Sequence, residues 1–130
     1  MPQLTRKVVA VIDDLFFTVK IMDAAKRAGL EIVFVKEEEK AWELAQELPT
    51  LMIVDLNTKA VNAVDLIQRL KTNPQTKQIS LLGFVSHVQV DLKKEALAAG
   101  ADIVLPRSTF STTLPSILQR HADTFAETEP

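Results

Sequence analysis

The sequence contains no cysteine, which excludes a disulfide scaffold, a thiolate zinc site and a cysteine nucleophile. Neither sign of charge is in surplus: 15 Lys and Arg face 17 Asp and Glu, a formal net charge of −2, spread along the chain. A nucleic-acid-binding protein would show a strongly basic face, and no helix carries a recognition signature, so no nucleic-acid partner is expected. Long apolar runs are missing too. None approaches the roughly 18 to 20 residues that a membrane helix needs. Residues Met1 to Lys7 lack the apolar stretch and small-residue cleavage site of a signal peptide. The expectation is therefore a cytoplasmic protein without a membrane partner. There is no internal repeat, low-complexity segment or linker. What is present is 130 residues with 47% hydrophobic content, ample material for one buried core. A single domain over 1–130 is expected, with its core at about 6–122 and a polar tail after Phe125.

The apolar residues alternate between two periods. The β-branched run Val8-Val9-Ala10-Val11-Ile12 stops at Asp13-Asp14. A helical stretch follows, with Phe17, Ile21, Ala25 and Ala28 on one face and Gly29 as its stop. Ile32 to Val35 precedes a helix over Glu37 to Leu48. Leu51 to Val54 precedes a helix using Ala60, Ala63, Val64, Ile67 and Leu70. Ile79 to Val85 precedes a helix from about Val90 to Ala99, closed by Gly100. Ile103 to Leu105 precedes a helix carrying Leu114, Ile117, Leu118 and Phe125. Five apolar strands, each followed by an amphipathic helix, predict an α/β fold with a parallel sheet covered on both faces. Right-handed crossovers and a length far short of a closed eight-unit barrel leave an open doubly wound sheet.

Ligands of such sheets sit beyond the carboxyl ends of the strands. The residues that follow each apolar run are Asp13 and Asp14, Lys36, Asp55, Ser86 and, after Pro106, Arg107. Three carboxylates, a hydroxyl and a cation are thus placed at one edge. Crowded carboxylates repel unless a cation neutralises them, and oxygen ligands without imidazole or thiolate favour magnesium. A carboxylate beside a metal, a hydroxyl donor and a fixed cation suits phosphoryl transfer. Asp55, on the central strand, is the expected acceptor.

Several segments then identify a family. Val-Ile-Asp13-Asp14, Ile-Val-Asp55, Val85-Ser86 and Gly100-Ala-Asp-Ile-Val-Leu-Pro-Arg107 resemble receiver domains of the two-component response regulators, of the chemotaxis-type single-domain kind. The likeness covers nearly all of residues 6 to 122. It implies a flavodoxin-like fold with five parallel strands in the order 2-1-3-4-5 and five helices. It implies that Asp13 and Asp14 are the acidic metal-binding pair, that Asp55 is the phosphoacceptor, and that the Asn57 backbone carbonyl contacts the metal. Ser86 takes the place of the Ser or Thr that hydrogen-bonds the phosphoryl group. The implied partners are a histidine kinase or phosphotransfer protein and a downstream protein, the chain being a monomer or weak homodimer. Such a receiver is a phosphorelay switch rather than a turnover enzyme.

The departures from the family pattern are as informative. Arg107 stands where the family has lysine, and Ser108 where it has the following proline. Lys59 and Ala63 replace a proline and a glycine in the acceptor loop. Val104 replaces the aromatic switch residue of the fifth strand. These substitutions favour, as the alternative, a pseudo-receiver that binds a protein partner without phosphorylation. Asp55-Leu-Asn57-Thr58 also resembles the motif of haloacid-dehalogenase-type phosphatases, but that motif follows the first strand and carries a second acid where Asn57 stands. His87 and His121 are far apart in sequence, and nothing completes a metal set around either. Trp42 is read as a core-edge residue. Phe16 is placed beside the acidic edge, where it restricts water access or simply packs.

Overall fold

The computed structural model describes residues 3–59, 61–86 and 89–128. Strands and helices alternate throughout: β1 (Thr5–Val11), α1 (Leu15–Ala28), β2 (Glu31–Val35), α2 (Glu38–Ala45), β3 (Pro49–Asp55), α3 (Ala63–Thr72), β4 (Ser80–Val85), α4 (Val90–Ala99), β5 (Ile103–Pro106) and α5 (Arg107–Thr128). All neighbouring strands pair in parallel, in the order β2-β1-β3-β4-β5. This is the doubly wound arrangement expected from the sequence. Val8 to Val11 of β1 and Leu51 to Val54 of β3 are buried, because helices cover both faces of the sheet. One face packs under α2, α3 and α4 around Val9, Met52, Val54, Leu66, Ile67 and Leu70. The other packs under α1 and α5 around Ile53, Phe84, Phe17, Phe110, Leu114 and Leu118. Among the described residues no helix is long and apolar enough to cross a membrane.

Helix ends follow their local chemistry. Asp14 caps α1 by accepting the Phe17 N–H at 3.2 Å, and Asn62 caps α3 by accepting the Asp65 N–H at 3.2 Å. Gly29 and Gly100 close α1 and α4 in the left-handed region, with φ of 75° and 119°. Helix α2 is shorter than its apolar period suggests, ending at Ala45. After Ala45 the chain passes into tighter turns, with the N–H groups of Gln46, Glu47 and Leu48 donating to the carbonyls of Glu43, Leu44 and Ala45, and Pro49 disfavours helical geometry at Leu48. Leu48 instead takes φ 58°, and its carbonyl accepts the backbone N–H of Thr5 at 2.8 Å, fastening the start of β1. Leu66, rather than Val64, is the fully buried residue of the first turn of α3. Helix α5 runs to Thr128, further than the expected break after Phe125. Ala60, His87, the Phe125 side chain and the last two residues lie outside the described residues.

Two positions give stability predictions. A Cβ at Gly29 would meet nothing within 4 Å, whereas one at Gly100 would lie 2.7 Å from Cβ and Cγ of Lys71. Lys71 cannot swing away cheaply, since its Nζ donates to the Ile79 carbonyl at 2.7 Å and pairs with Asp102 at 2.9 Å. Gly29→Ala should therefore cost about 1 to 2 kcal/mol, the left-handed backbone term alone. Gly100→Ala should cost about 2 to 4 kcal/mol, because overpacking adds to that term. Equal losses in urea unfolding would show that the Lys71 contact is irrelevant. Pro115 lies exposed inside α5, and the helix continues through it because Leu114 and Leu118 on either side are fully buried. Pro115→Ala should restore a helical N–H and raise stability by roughly 1 to 3 kcal/mol, readable in the same experiment.

Candidate functional site

The carboxyl ends of β1, β3, β4 and β5 bring most of the expected residues to one edge. Asp55 ends β3, the middle strand, and is half-buried. One of its carboxylate oxygens accepts the backbone N–H of Asn57 at 2.9 Å. Burial pushes the Asp55 carboxyl above the usual carboxylate range. The Asn57 N–H and the Arg107 charge work in the opposite direction, and the Asp14 charge adds to the rise. Asp14, Asp55 and Arg107 therefore share one electrostatic centre.

Arg107 is the first residue of α5. Its Nη2 bonds to Oδ2 of Asp14, and its guanidinium lies 4.5 Å from the ring centroid of Phe17. Oδ1 of Asp14 meanwhile accepts the Phe17 N–H that caps α1. Both oxygens of Asp14 are thus engaged within the protein. Beneath Phe17 lie Phe84, at 5.4 Å between centroids, and Phe110, at 5.9 Å, the latter two stacked at 4.5 Å. The aromatic cluster forms the floor on which the Arg107–Asp14 pair rests. Arginine suits this place because its planar group stacks on a ring and reaches a carboxylate together.

Asp13 takes a different direction. It pairs with Lys36 at 3.2 Å, and both side chains are well exposed. Among the described residues no three His, Asp or Glu side chains are grouped so that they could hold a metal ion. The expected set of Asp13, Asp14, Asp55 and Asn57 is thus divided, with Asp13 on Lys36 and Asp14 on Arg107. The donor type, carboxylate and carbonyl oxygen, still fits a hard divalent cation, and such an ion would compete with both basic side chains.

The Asn57 side chain has a use that sequence reasoning missed. Its Oδ1 accepts both the backbone N–H of Ser86 at 2.7 Å and the Ser86 hydroxyl at 3.1 Å. Its Nδ2 donates to Oε1 of Gln89 at 2.8 Å, at the start of α4. An amide combines donor and acceptor, so this one side chain ties the loop after β3 to the segment between β4 and α4. Only the residue type at Asn57 hints at this, and nothing in the sequence singles out Gln89. Phe16 is 67% exposed, touches the edge of Phe17 at 5.3 Å, and lines an open cleft beside the site with Phe17, Ser86, Arg107 and Ser108. His121 sits in α5 with Nδ1 2.9 Å from the Ile117 carbonyl, far from this edge in the chain. Trp42 is half-buried at the core margin, with Arg69 stacked 4.0 Å over its ring.

The electrostatics make a prediction. A carboxyl whose pKa is higher folded than unfolded destabilises the fold once it ionises, so stability falls as pH rises through the folded value. Asp55→Asn should therefore raise the thermal unfolding midpoint at pH 7, by an amount that shrinks as the solution is acidified through the carboxylate range. Asp13→Asn removes only an exposed ion pair and should change stability by less than about 1 kcal/mol. A midpoint lowered by Asp55→Asn would contradict the cost assigned to burying this charge.

Comparison with known proteins agrees with this geometry. No protein-family model matches the chain. In sequence it is similar to the phosphate regulon transcriptional regulatory protein PhoB of Rhizobium meliloti (strain 1021), with 26% identity over 106 residues. That alignment covers 79% of this chain but 47% of PhoB, so the chain spans about half the length of that relative. In structure it is similar to chemotaxis response regulator CheY4 of Vibrio cholerae, with a TM-score of 0.76 and 23% identity over 92% of this chain and 99% of that one. It is also similar to the receiver domain of sensor histidine kinase PA1611 from Pseudomonas aeruginosa PAO1, which has a magnesium ion coordinated in its active-site cleft. There the TM-score is 0.76 at 14% identity, covering 90% of this chain and 97% of that one. In its strand order and overall architecture the chain has the fold of the response-regulator receivers it resembles, with an acidic edge at the carboxyl ends of its strands.

Proposed function

We propose that this protein is a response-regulator receiver that accepts a phosphoryl group on Asp55 and signals by changing the surface it offers to a partner protein. The observation that carries the reading is the half-buried Asp55 carboxylate at the end of the central strand, within the fields of Asp14 and Arg107. In the reaction an Asp55 oxygen attacks phosphorus, and the bond from phosphorus to the donor's leaving group breaks. With a histidine kinase or phosphotransfer protein as donor, that leaving group is an imidazole nitrogen. Asp55 is held for this by the Asn57 N–H, and Ser86 stands at the neighbouring strand end, its hydroxyl on Asn57 until a phosphoryl oxygen competes for it. Asp14 and Asp55, with Asp13 and the Asn57 carbonyl, would hold magnesium, after release of Arg107 and Lys36. When bound, the ion offsets charge on the phosphoryl oxygens.

Val90, Leu97 and Ile103 are exposed on α4 and β5, which supports the face formed by α4, β5 and α5 as the output surface. Val104 is buried, so no aromatic ring is available there to swing between inner and outer positions. Activation should instead act through Ser86, Asn57 and Gln89, whose bonds would be exchanged when the Ser86 hydroxyl turns to the phosphoryl group.

A second reading has one observation in its favour: Arg107, braced on Phe17 and bonded to Asp14, neutralises that carboxylate without a cation. A pseudo-receiver, binding its partner without phosphorylation, would have such a site.

Labelling distinguishes the two readings. Incubated with magnesium and acetyl phosphate, the protein should gain one phosphoryl group by intact mass, and Asp55→Asn should abolish the gain. Arg107→Lys gives up the guanidinium's stacking and its grip on Asp14, and should speed labelling by about tenfold. A charge-assisted bond contributes roughly 1.5 to 3 kcal/mol, and about 1.4 kcal/mol is a factor of ten in rate. Unchanged labelling in Arg107→Lys would show arginine to be no obstacle. No labelling of either protein would leave the phosphorylation-independent reading in its place.

A further inference from the structure

Helix α1 presents to solvent an apolar face of which only Phe16 borders the site. Leu15, Phe16, Val19 and Met22 are 82%, 67%, 65% and 47% exposed. At 100° per residue, Leu15, Val19, Met22 and Lys26 form one narrow stripe, with Phe16 and Asp23 together along one side of it. Single exposed apolar residues are ordinary, but four adjoining ones on one helix form a patch. They expose on the order of 500 Å² per copy, against the ~800 Å² per partner of a standard interface.

The stripe is also polar end to end. Asp13 and Asp14 precede its N-terminal end, and Lys26 and Arg27 close its C-terminal end. Arg27 is paired with Asp23 of the same helix at 3.1 Å. The Lys26 side chain has no ion pair or hydrogen bond among the described residues. Asp14 is held by Arg107, but Asp13 pairs with Lys36 only at the surface, where an incoming lysine can exchange with it. Asp13 at one end, Lys26 at the other and apolar side chains between thus make a surface complementary to itself when turned around.

We infer that this face binds a second copy of the chain, with the two α1 helices antiparallel about a two-fold axis at Val19. In that register Val19 meets Val19, Phe16 meets Met22, and Lys26 of one copy stands beside Asp13 of the second copy. The rise of about 1.5 Å per residue places Lys26 roughly 10 Å from the axis, level with the segment that leads into α1 of the second copy, where Asp13 lies. Both halves of the contact are the same, as an isologous dimer requires, and the opposed helix dipoles add to the attraction. The modest area makes the dimer weak and dependent on concentration. Lys26 would bring positive charge to the acidic edge of its neighbour, so dimer formation and cation binding at Asp13 oppose one another. This inference stands apart from the phosphoacceptor reading and does not need it.

Sedimentation velocity tests it. The weight-average sedimentation coefficient should rise between about 10 µM and about 1 mM protein, as mass action demands. Val19→Lys should remove the rise while leaving the thermal unfolding midpoint in place, since Val19 is on the surface. Lys26→Glu should weaken association by about tenfold, in the range of a lost charge contact, and adding Asp13→Lys should restore it. The absence of cysteine allows a second readout. Val19→Cys should form a disulfide-linked dimer on mild oxidation, faster than Lys94→Cys on the exposed side of α4. A monomer at every concentration, or cross-linking of Val19→Cys no faster than that of Lys94→Cys, would overturn the proposal and leave the face to a different protein. A charge exchange that fails to restore association would overturn the antiparallel register.

Discussion

The arrangement of the site depends on the pairing of Arg107 with Asp14. Two carboxylates, Asp14 and Asp55, lie close enough for the charge of one to raise the pKa of the other, and such a pair is unstable without positive charge nearby. Arg107 supplies that charge from the first residue of α5, and the Phe17 ring holds the guanidinium flat against the fold. The pair joins the start of α1 to the start of α5, which also pack side by side through Phe17, Phe110 and Leu114. Removing Arg107 would leave Asp14 and Asp55 facing one another without a counter-charge, and Phe17 without its lid.

The rest of the edge follows from the sheet. Parallel strands end together on one side, so side chains separated by up to 93 residues in the chain meet there. Asp55 ends β3, the middle strand of the sheet, and is half-buried there. Its ionised form is costly in the fold, and that cost is what a cation or a transferred phosphoryl group could use. Asn57 ties Ser86 and Gln89 to the loop after Asp55, so a change at Asp55 has a short covalent and hydrogen-bonded route to the start of α4. The apolar stripe of α1 begins at the same edge, and the acidic residues at its head belong to both surfaces.

The fold was legible in the sequence because two strong periodicities alternate without interruption. Val8 to Ile12 and Leu51 to Val54 are too continuously apolar for half-exposed strands, and Phe17, Ile21 and Ala25 repeat at the helical spacing. Element ends were less legible. Helix α2 gives way to tighter turns ahead of Pro49, and the burial of Leu114 and Leu118 carries α5 through Pro115 against local preference. The placement of Asp14, Asp55, Ser86 and Arg107 at strand ends could be read directly, since each follows an apolar run.

Hydrophobic patterning and strand-end chemistry, both local in the chain, thus determine the doubly wound sheet and the identity of its acidic edge. Side-chain direction is a different matter. Whether Asp13 faces Asp55 or Lys36, whether Arg107 points to solvent or to Asp14, and whether Asn57 offers its backbone or its amide depend on groups 23, 93 and 29 positions away. Those choices are made by Coulomb forces and hydrogen-bond geometry across a packed interior, which exist only after the chain has folded. Tertiary structure alone decided that the acidic pair divides between two basic partners, and that Phe17 meets Phe84 and Phe110 to form the aromatic floor under Arg107.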